Sequence, residues 1–374
     1  MATPTEDSRA TDRHHMGVAL DLARRALGRV WPNPAVGCVI VRDGRVVGRG
    51  WTQPGGRPHA ETEALRRAGD AARGATVYVG LEPCAHHGRT PPCAEALIAA
   101  GIGRCVVAVE DPDPRTAGAG IAALREAGIA VEVGVRAEEA ARVNAGFFLR
   151  QQAGRPLVTL KTATSLDGRI ATHGGESQWI TGPEARARGH YLRAIYDAVL
   201  VGIGTAAADR PRLTCRLPGL EDRSPVRIVV DGRLRLPLTD PLVADARAVP
   251  TWLVTLPKGD AARRRAYTDS GVELIDVVPD ADGRPDLATL LRLLGGRGLT
   301  RVLVEGGSHL AAGLLRAGLV DRIAWFRAPG VMGGDGIPTA APFGVDRLAD
   351  MPRFAREAVL ETGADLLEIY GRAP

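Results

Sequence analysis

The chain has 374 residues, of which 45% are hydrophobic, 24% charged and 4% aromatic. A chain of this length can form two or three domains, and we expect two, in a globular protein without low-complexity segments. The formal net charge of +5 comes from arginines interspersed with acidic residues. Scattered basicity with so few aromatic residues argues against a nucleic-acid partner, and it suits phosphorylated small molecules equally well.

The cysteines and the N-terminus indicate the compartment. Five cysteines in so long a chain do not form a disulfide framework, and their odd number favours a reducing compartment. No apolar run approaches the roughly 18 residues of a membrane span, so no membrane partner is expected. Residues 1–13 are polar and lack the apolar stretch of a signal peptide. They predict a disordered tail on a cytoplasmic protein.

In the first half of the chain, strand-like and helix-like runs alternate. Apolar residues at helical spacing predict a helix over 15–27, and Asp43-Gly44 predicts a hairpin turn that joins a strand at 35–41 to a second one at 45–50. Three more strands and three helices follow. The strands are expected at 75–81, 104–109 and 130–135, and the helices at 60–68, 94–100 and 121–127. The alternation predicts an α/β domain with a largely parallel sheet over residues 14–153.

Three residues of this half have the chemistry of zinc ligands. His59 stands two residues before Glu61, and Cys84 and Cys93 each follow a proline. One imidazole and two thiolates suit Zn²⁺, and three protein ligands leave a fourth position open for water, as in catalytic sites. Glu61 lies in the first turn of the predicted helix and can carry protons beside that water. The start of the next helix also favours the thiolate form of Cys93.

The His-x-Glu and Pro-Cys pattern resembles that of zinc-dependent deaminases. The two cysteines are separated by eight residues instead of two, within the sequence CAHHGRTPPC. This long loop is similar to that of the deaminase family of riboflavin biosynthesis, and so is the Pro-Asn-Pro-Ala-Val-Gly run at 32–37. The resemblance implies a phosphoribosyl pyrimidine substrate, whose pyrimidine contacts Asn33 and whose phosphoribosyl group faces His86 and Arg89.

A second domain is expected from residue 154, within a junction at 152–156 that contains glycine and proline. Five strand-like runs follow, with helices between them. The strands are expected at 157–163, 198–202, 227–231, 252–255 and 301–304, and the clearest helices at 183–195 and 308–317. This pattern predicts a second α/β domain over residues 154–374.

Glycines at two strand ends of this half indicate phosphate binding. The Glu-Gly-Gly-Ser run at 305–308 closes a strand and opens a helix, whose free backbone N–H groups can bind a phosphate. The Gly-x-Gly run at 202–204 is similar, but Ala207 stands where a dinucleotide-binding fingerprint needs its third glycine. The sequence therefore argues against a Rossmann fold.

Taken in order, the motifs of the second half resemble the reductase half of the same bifunctional family. The resemblance extends from about His15 to the C-terminus. It implies a cytidine-deaminase-like α/β/α domain followed by a dihydrofolate-reductase-like α/β domain, with Zn²⁺ and NADPH as cofactors. The residues that match the family's cofactor contacts are Ala163, Trp179, Thr205, Asp209, Gly307, Ser308, His309, Leu310, Ala311, Ala312 and Gly313. Those that match its substrate contacts are Ser177, Arg193, Leu213, Arg216 and Glu305.

Two further positions are interpreted through the same resemblance. Lys161, near the end of the predicted strand at 157–163, is expected to orient the substrate. Arg210 departs from the family, in which a second aspartate often follows the residue that matches Asp209. An arginine at this position could change the local charge or the affinity for phosphate.

The resemblance implies two successive reactions. The first is hydrolytic deamination of a phosphoribosyl diaminopyrimidine, and the second is NADPH-dependent reduction of its ribosyl group to ribityl. The family is commonly oligomeric, so a homo-oligomer is expected. Two alternatives stay open: a nucleic-acid base deaminase with a C-terminal binding module, and a zinc-stapled scaffold without activity. Salt-sensitive RNA binding would support the first, and unfolding on metal removal the second.

Overall fold

The computed structural model of the chain describes residues 6–87 and 91–373. The chain divides into two units, and the division falls between Gly154 and Arg155. The boundary predicted from the sequence lies one residue earlier. Both units combine helices with β-sheets, as the alternation of strands and helices predicts.

The described part of the first unit contains six α-helices and five strands. The helices are α1 (Glu6–Arg24), α2 (Ala60–Ala68), α3 (Cys93–Ala99), α4 (Ala119–Glu126), α5 (Ala137–Val143) and α6 (Ala145–Ala153). The strands are β1 (Gly37–Arg42), β2 (Arg45–Trp51), β3 (Thr76–Val79), β4 (Arg104–Val107) and β5 (Ala130–Val133). They form one sheet in the order β2-β1-β3-β4-β5.

This sheet is mixed, which corrects the expectation of a largely parallel one. Strand β1 pairs antiparallel with both β2 and β3, whereas β3, β4 and β5 are parallel. The reason is the turn at Asp43 and Gly44, both at positive φ, which returns β2 directly beside β1. Parallel neighbours need a crossover helix, and helices connect β3, β4 and β5.

Helices cover both faces of the sheet. Met16 of α1 and Ala140 of α5 are buried in the apolar cluster of one face, and Ala64, Leu97 and Leu124 in that of the other. Helix α2 lies especially close to β2, because a Cβ atom at position 50 of that strand would be 2.1 Å from the carbonyl oxygen of Ala60. The glycine at position 50 therefore fixes the start of α2 against the sheet.

Helix α1 begins at Glu6. Residues 6–13 are therefore helical, whereas the sequence predicted that they belong to a disordered tail. The side chain of Asp12 is buried and accepts hydrogen bonds from both terminal nitrogens of Arg104, at 2.8 Å, and from Tyr78 at 2.9 Å. The prediction was wrong because this polar segment docks through a buried carboxylate, which the spacing of apolar residues does not reveal.

The described part of the second unit contains six α-helices and eleven strands. The helices are α7 (Pro183–Ile195), α8 (Ile203–Asp209), α9 (Pro241–Ala244), α10 (Ala261–Asp269), α11 (Leu287–Gly296) and α12 (Ser308–Arg316). The strands are β6 (Leu157–Thr164), β7 (Arg169–Ala171), β8 (Ala198–Gly202), β9 (Val226–Val230), β10 (Thr251–Thr255), β11 (Glu273–Asp276), β12 (Arg301–Glu305), β13 (Arg322–Arg327), β14 (Ile337–Pro338), β15 (Phe354–Thr362) and β16 (Asp365–Arg372).

Nine of these strands form one sheet, in the order β11-β10-β9-β8-β12-β6-β13-β16-β15. The pairs from β11 to β13 are parallel, and β16 and β15 are added antiparallel. Strand β12 returns to lie between β8 and β6, so the direction of strand order reverses there. At such a switch point the carboxyl ends of the strands flank a crevice, which is where open α/β sheets bind ligands.

The structure also tests the expectation about membranes. Among the residues that it describes, no helix is both long enough and apolar enough to cross a bilayer.

Candidate active sites

The first site is built at the start of α2. His59 is the residue immediately before this helix, with extended backbone angles, and Glu61 lies in its first turn, as predicted from the sequence. Glu61 is only 4% exposed. The close packing of α2 on β2 fixes the start of the helix that carries Glu61, and the side chain of Glu61 is buried in the interior.

The two cysteines reach His59 from different segments. Cys93 is the first residue of α3 and is preceded by Pro92, whereas Cys84 lies in the loop after β3. The Nδ1 atom of His59 is 3.3 Å from the Sγ of Cys93 and 3.7 Å from that of Cys84. The backbone N–H of Cys93 donates to the Sγ of Cys84 at 3.3 Å.

This donor set fits zinc. The three ligand atoms lie within 4.8 Å of one another. In tetrahedral coordination, with Zn–S distances of about 2.3 Å and Zn–N distances of about 2.0 Å, neighbouring ligand atoms lie roughly 3.5 Å apart. One imidazole and two thiolates are also the ligand types that zinc prefers. The described residues contain no other cluster of three such ligands.

Electrostatics prepare the groups of this site for proton transfer. Burial raises the pKa of the Glu61 carboxyl to about 7, although His59 opposes that shift. Hydrogen bonds from Cys93 and His59 lower the pKa of the Cys84 thiol to about 4, although burial of Cys84 opposes this shift. The side-chain hydrogen bond between the two cysteines, together with burial, raises the pKa of the Cys93 thiol. A carboxyl group with a pKa near neutrality can both take up and return a proton.

The structure places two of the three predicted substrate contacts of this unit. The side-chain amide of Asn33 lies against the turn at 54–56, just before His59, where a Cβ atom on Gly56 would be 1.9 Å from the Asn33 Nδ2. His86 follows Cys84 by two residues, and its Nδ1 lies 3.2 Å from the hydroxyl of Thr116. Arg89 lies outside the described residues.

Glu82, which was not predicted from the sequence, organises the loop that His86 contacts. Its buried carboxylate accepts four backbone N–H groups at 2.9–3.1 Å, from residues 111, 118, 120 and 121. It thereby ties the segment leading to Cys84 to the start of α4. Its position directly before Pro83-Cys84 is the only sequence feature that points to it.

The second site is a cavity of about 1620 Å³ in the second unit. It lies at the strand-order reversal described above and is wide enough for a dinucleotide and a second ligand. Nearly all the predicted cofactor and substrate contacts of this unit line it. They are Lys161, Ala163, Ser177, Trp179, Arg193, Thr205, Asp209, Leu213, Arg216, Glu305, Gly307, Ser308, His309, Leu310 and Gly313.

Two predicted cofactor contacts do not reach this cavity. Ala311 and Ala312 are 2% and 5% exposed and belong to the core. The reason is helical periodicity, because a face of α12 that packs on the sheet cannot also face the ligand. The contiguous stretch 307–313 therefore divides into lining residues and core residues.

A cluster of charged side chains lies on one wall of the cavity. Glu305 of β12 is directly opposite Lys161 of β6 in the sheet register, with 3.7 Å between the Nζ and Oε2 atoms. Arg193 of α7 binds both carboxylate oxygens of Glu305, at 2.6 and 3.0 Å. Burial would raise the pKa of Glu305, but Arg193 and Lys161 outweigh it and lower that pKa to about 2. Burial lowers the pKa of Lys161, and Glu305 offsets part of the shift.

Directly after Glu305, the start of α12 forms an anion-binding geometry. Gly306 and Gly307 precede the helix with φ of +74° and +86°, and no side chain of the described residues caps its first N–H groups. Thr205 at the start of α8 packs on both glycines: a Cβ at position 307 would lie 3.2 Å from its hydroxyl oxygen. Unpaired N–H groups at a helix N-terminus bind phosphate.

Arg210, the departure from the family pattern, is held by the neighbouring loop. Its φ is +42°, its Nη2 donates to the carbonyl of Thr239 at 3.3 Å, and its Nε lies 4.0 Å from the carboxylate of Asp240. Arg210 therefore lies between the cavity wall and the loop that carries Thr239 and Asp240.

The fold and the two sites define a class: a two-domain α/β enzyme with a zinc-type hydrolytic centre in one domain and a large ligand cavity in the other. Comparisons with known proteins agree. The family model of the cytidine and deoxycytidylate deaminase zinc-binding region matches residues 9–109, and that of the RibD C-terminal domain matches residues 156–366.

Similar proteins extend over nearly the whole chain. The riboflavin biosynthesis protein RibD of Escherichia coli (strain K12) is 42% identical, over 95% of this chain and 98% of that protein. RibD of Aquifex aeolicus (strain VF5) is 40% identical, over 97% and 99%. Acinetobacter baumannii RibD, form 1, is 38% identical with a TM-score of 0.87, over 98% of this chain and 100% of that chain.

A Thermotoga maritima structure described as a diaminohydroxyphosphoribosylaminopyrimidine deaminase and 5-amino-6-(5-phosphoribosylamino)uracil reductase has a TM-score of 0.85 and 34% identity, over 98% and 99% of the two chains. The chain therefore belongs to the RibD family of riboflavin biosynthesis, and it is an enzyme with deaminase and reductase domains. The family resemblance inferred from the sequence is confirmed, and the alternatives of a nucleic-acid base deaminase and an inactive scaffold are not favoured.

Proposed function

We propose that the first domain hydrolytically deaminates 2,5-diamino-6-ribosylamino-4(3H)-pyrimidinone 5′-phosphate. The second domain then reduces the ribosyl group of the resulting 5-amino-6-(5-phosphoribosylamino)uracil to ribityl, with NADPH. The observation that carries the proposal is the His59, Cys84 and Cys93 cluster beside the buried Glu61, in a chain that also contains the charged cavity of the second domain.

In the first reaction His59, Cys84 and Cys93 hold zinc. When bound, zinc supplies a Lewis acid that makes water nucleophilic near neutral pH. Glu61 accepts one proton from the attacking water and passes it to a ring nitrogen. It then accepts the second proton, from the hydroxyl group that has been added to the ring, and passes it to the amine, which leaves as ammonia. Asn33 contacts the pyrimidine, and His86 and Arg89 face the phosphoribosyl group.

In the second reaction the N-terminus of α12, with Gly307, Ser308 and Thr205, holds the phosphates of the dinucleotide. Ala163, Trp179 and Asp209 complete its site. NADPH, when bound, supplies a hydride for the anomeric carbon of the ring-opened imine form, while a proton goes to the imine nitrogen. Lys161 and Glu305 orient the substrate beside the cofactor. Catalysis here rests on positioning and electrostatics, without a covalent nucleophile.

The proposal also covers the cellular compartment, the oligomeric state and the partners of the enzyme. We infer a cytoplasmic protein, since its five cysteines form no disulfide, and a homo-oligomer, as expected from the family. The partners are the small pyrimidine substrates. Size-exclusion chromatography with light scattering measures the oligomeric state, and a monomer at micromolar concentration would contradict this part.

A two-product assay tests the proposed function. The purified enzyme, given the phosphoribosyl diaminopyrimidine and NADPH, should release one ammonia and oxidise one NADPH for each substrate molecule. With pre-deaminated substrate, it should oxidise NADPH without releasing ammonia. Ammonia release without later NADPH oxidation would contradict the reductase assignment. If NADPH were oxidised with the pre-deaminated compound but not with the phosphoribosyl diaminopyrimidine, the deaminase assignment would be contradicted.

A further inference from the structure

Two arginines of the reductase cavity, Arg193 and Arg216, differ in how their guanidinium groups are used. The side chain of Arg193 is only 14% exposed, and each of its nitrogens is bound: Nε and Nη2 to Glu305, and Nη1 to the carbonyl of Thr214 at 3.1 Å. Because its planar fork is already occupied by a carboxylate, it cannot bind a phosphate in the same way. Arg193 therefore supports the wall of the cavity.

Arg216 is exposed and lines the same cavity. Its Nε donates to the Nε2 of His190 at 3.4 Å. Within the described residues no carboxylate pairs with Arg216, and nothing bonds to its Nη1 or Nη2. Its two terminal nitrogens are therefore available as a planar fork, the geometry that binds a phosphate through two parallel hydrogen bonds.

The hydrogen bonds of His190 determine which of its ring nitrogens carries the proton. Its Nδ1 lies 3.1 Å from the carbonyl of Thr214, and a carbonyl oxygen can only accept, so the proton is on Nδ1. Burial lowers the pKa of His190, as do Arg193 and Arg216, so the ring is neutral. Neutral His190 thus has a lone pair on Nε2, which accepts the Nε–H of Arg216.

The segment that carries Arg216 is fixed to α7 by the same contacts. His190 and Arg193, one helical turn apart, both donate to the Thr214 carbonyl. The N–H of Cys215 donates to the Ser224 hydroxyl at 3.2 Å. Because backbone and side chain are both held, Arg216 presents one edge of its guanidinium to the cavity.

We propose that His190 is a positioning residue of the reductase, which holds Arg216 so that its Nη1 and Nη2 bind the phosphoryl group of the pyrimidine substrate. This inference rests on the proposed function and on the family resemblance, which makes Arg216 a substrate contact, and it adds a residue whose role no sequence motif indicates. His190 lies one turn before Arg193 on α7, the only sequence feature that could have pointed to it.

Steady-state reductase kinetics on pre-deaminated substrate test the proposal. H190L removes the acceptor and should raise KM for the substrate about tenfold, the effect of one misplaced hydrogen bond to a charged group, with kcat and KM for NADPH nearly constant. H190Q restores an acceptor at similar reach and should recover most of that loss. R188Q is the matched control, because Arg188 is exposed on the same helix and stacks on Tyr191.

A double-mutant cycle with R216K separates positioning from general structure. Lysine keeps the charge but lacks the Nε–H that His190 accepts, so H190L should add nothing to R216K. Inhibition by ribose 5-phosphate, measured against the substrate, should weaken in H190L and in R216K alike. Thermal melting and the KM for NADPH report whether the second domain of each variant is folded, and the cycle in the R216K background gives a second reading if H190L alone is unstable.

Three results would overturn the inference: an unchanged substrate KM in H190L, an H190Q variant as impaired as H190L, or a rise in the KM for NADPH instead. If R216A leaves the substrate KM unchanged, Arg216 is not a substrate contact, and this inference fails while NADPH oxidation by the wild-type enzyme still supports the proposed function. Failure of the wild-type enzyme to oxidise NADPH would instead contradict the proposed function itself.

Discussion

The two sites of this protein are built in opposite ways. In the first domain, three ligand side chains from residues 59–93 meet in a small cluster, in which His59 and Cys84 are half-buried and Cys93 is buried, near two helix starts. In the second, the lining comes from residues 161–337 and surrounds a cavity of about 1620 Å³. A metal site depends on a few atoms at fixed distances, so losing one ligand abolishes it. A cavity that holds two large ligands distributes the binding energy over many contacts, so most single substitutions weaken ligand binding only partially.

Metal removal should give the largest difference between the two sites. Dialysis against a chelator should abolish ammonia release, by a factor of at least about 10⁴, because the Lewis acid is lost. NADPH oxidation on pre-deaminated substrate should persist. Both rates are measured before and after addition of zinc, which should restore the first. Equal loss of both activities would show that the metal supports the whole chain rather than one site.

Glu61→Gln should lower ammonia release by a factor of about 10³, the range expected for loss of a general acid–base group. Zinc content and NADPH oxidation should not change, because glutamine preserves the shape of the side chain. Glu63→Gln, in the same turn of α2 but paired with Arg66, is the matched control. Retained ammonia release in the Glu61 variant would remove Glu61 from the mechanism.

Glu305→Gln should reduce NADPH oxidation by a factor of about 10², because it leaves Lys161 and Arg193 without their shared carboxylate. Ammonia release should be unaffected. Glu273→Gln, which removes an exposed pair with Arg297, serves as the control. A drop in ammonia release of similar size would show that the effect is not confined to the cavity.

The same variant should change the pH dependence of stability. The pKa of Glu305 is depressed from its ordinary value of 4.5 to about 2 in the folded protein. Its stabilising contribution is therefore present above pH 4.5 and is lost as the pH falls towards 2. The difference in melting temperature between the wild-type protein and the glutamine variant should shrink over that interval. A constant difference would contradict the ion-pair explanation.

Gly307→Ala should have the smallest effect, raising KM for NADPH about tenfold. Alanine is strained at a φ of +86°, and its Cβ would press on Thr205 beside the start of α12. The substrate KM and ammonia release should stay near wild type. Gly296→Ala, where a Cβ meets no atom within 4 Å, is the control. An unchanged KM for NADPH would remove the α12 N-terminus from the cofactor site.

Elements with regular patterns are predicted from the sequence, and those without are missed. Helix α7 is predicted over the range that the structure shows, because apolar residues recur on its buried face. Strand β15 is missed, since its edge position leaves most of its residues exposed and erases the alternation that marks a strand. The prediction for residues 6–13 is wrong because Asp12 docks α1 by charge rather than by apolar contact.

The candidate sites divide along the same line. Zinc chemistry restricts its ligands to a few residue types, so the pattern of His59, Cys84 and Cys93 can be recognised in the sequence alone, although their role as ligands stays a prediction. Glu82 and His190 cannot be recognised in this way, because each acts through backbone groups and side chains that only folding brings near. The residue-by-residue roles in the cavity likewise stay predictions.

By itself, the sequence determined the chemistry of the metal site and the family, because soft ligands, a proton carrier and a long cysteine loop are local patterns. The tertiary structure decided which charged side chains of the cavity are already paired with other protein groups and which are available to bind a ligand. It pairs Arg193 with Glu305 and leaves the terminal nitrogens of Arg216 open within the described residues, and it separates the lining residues of 307–313 from the buried Ala311 and Ala312. The physical reason is that hydrogen bonding and burial depend on neighbours from distant strands, which no local pattern contains.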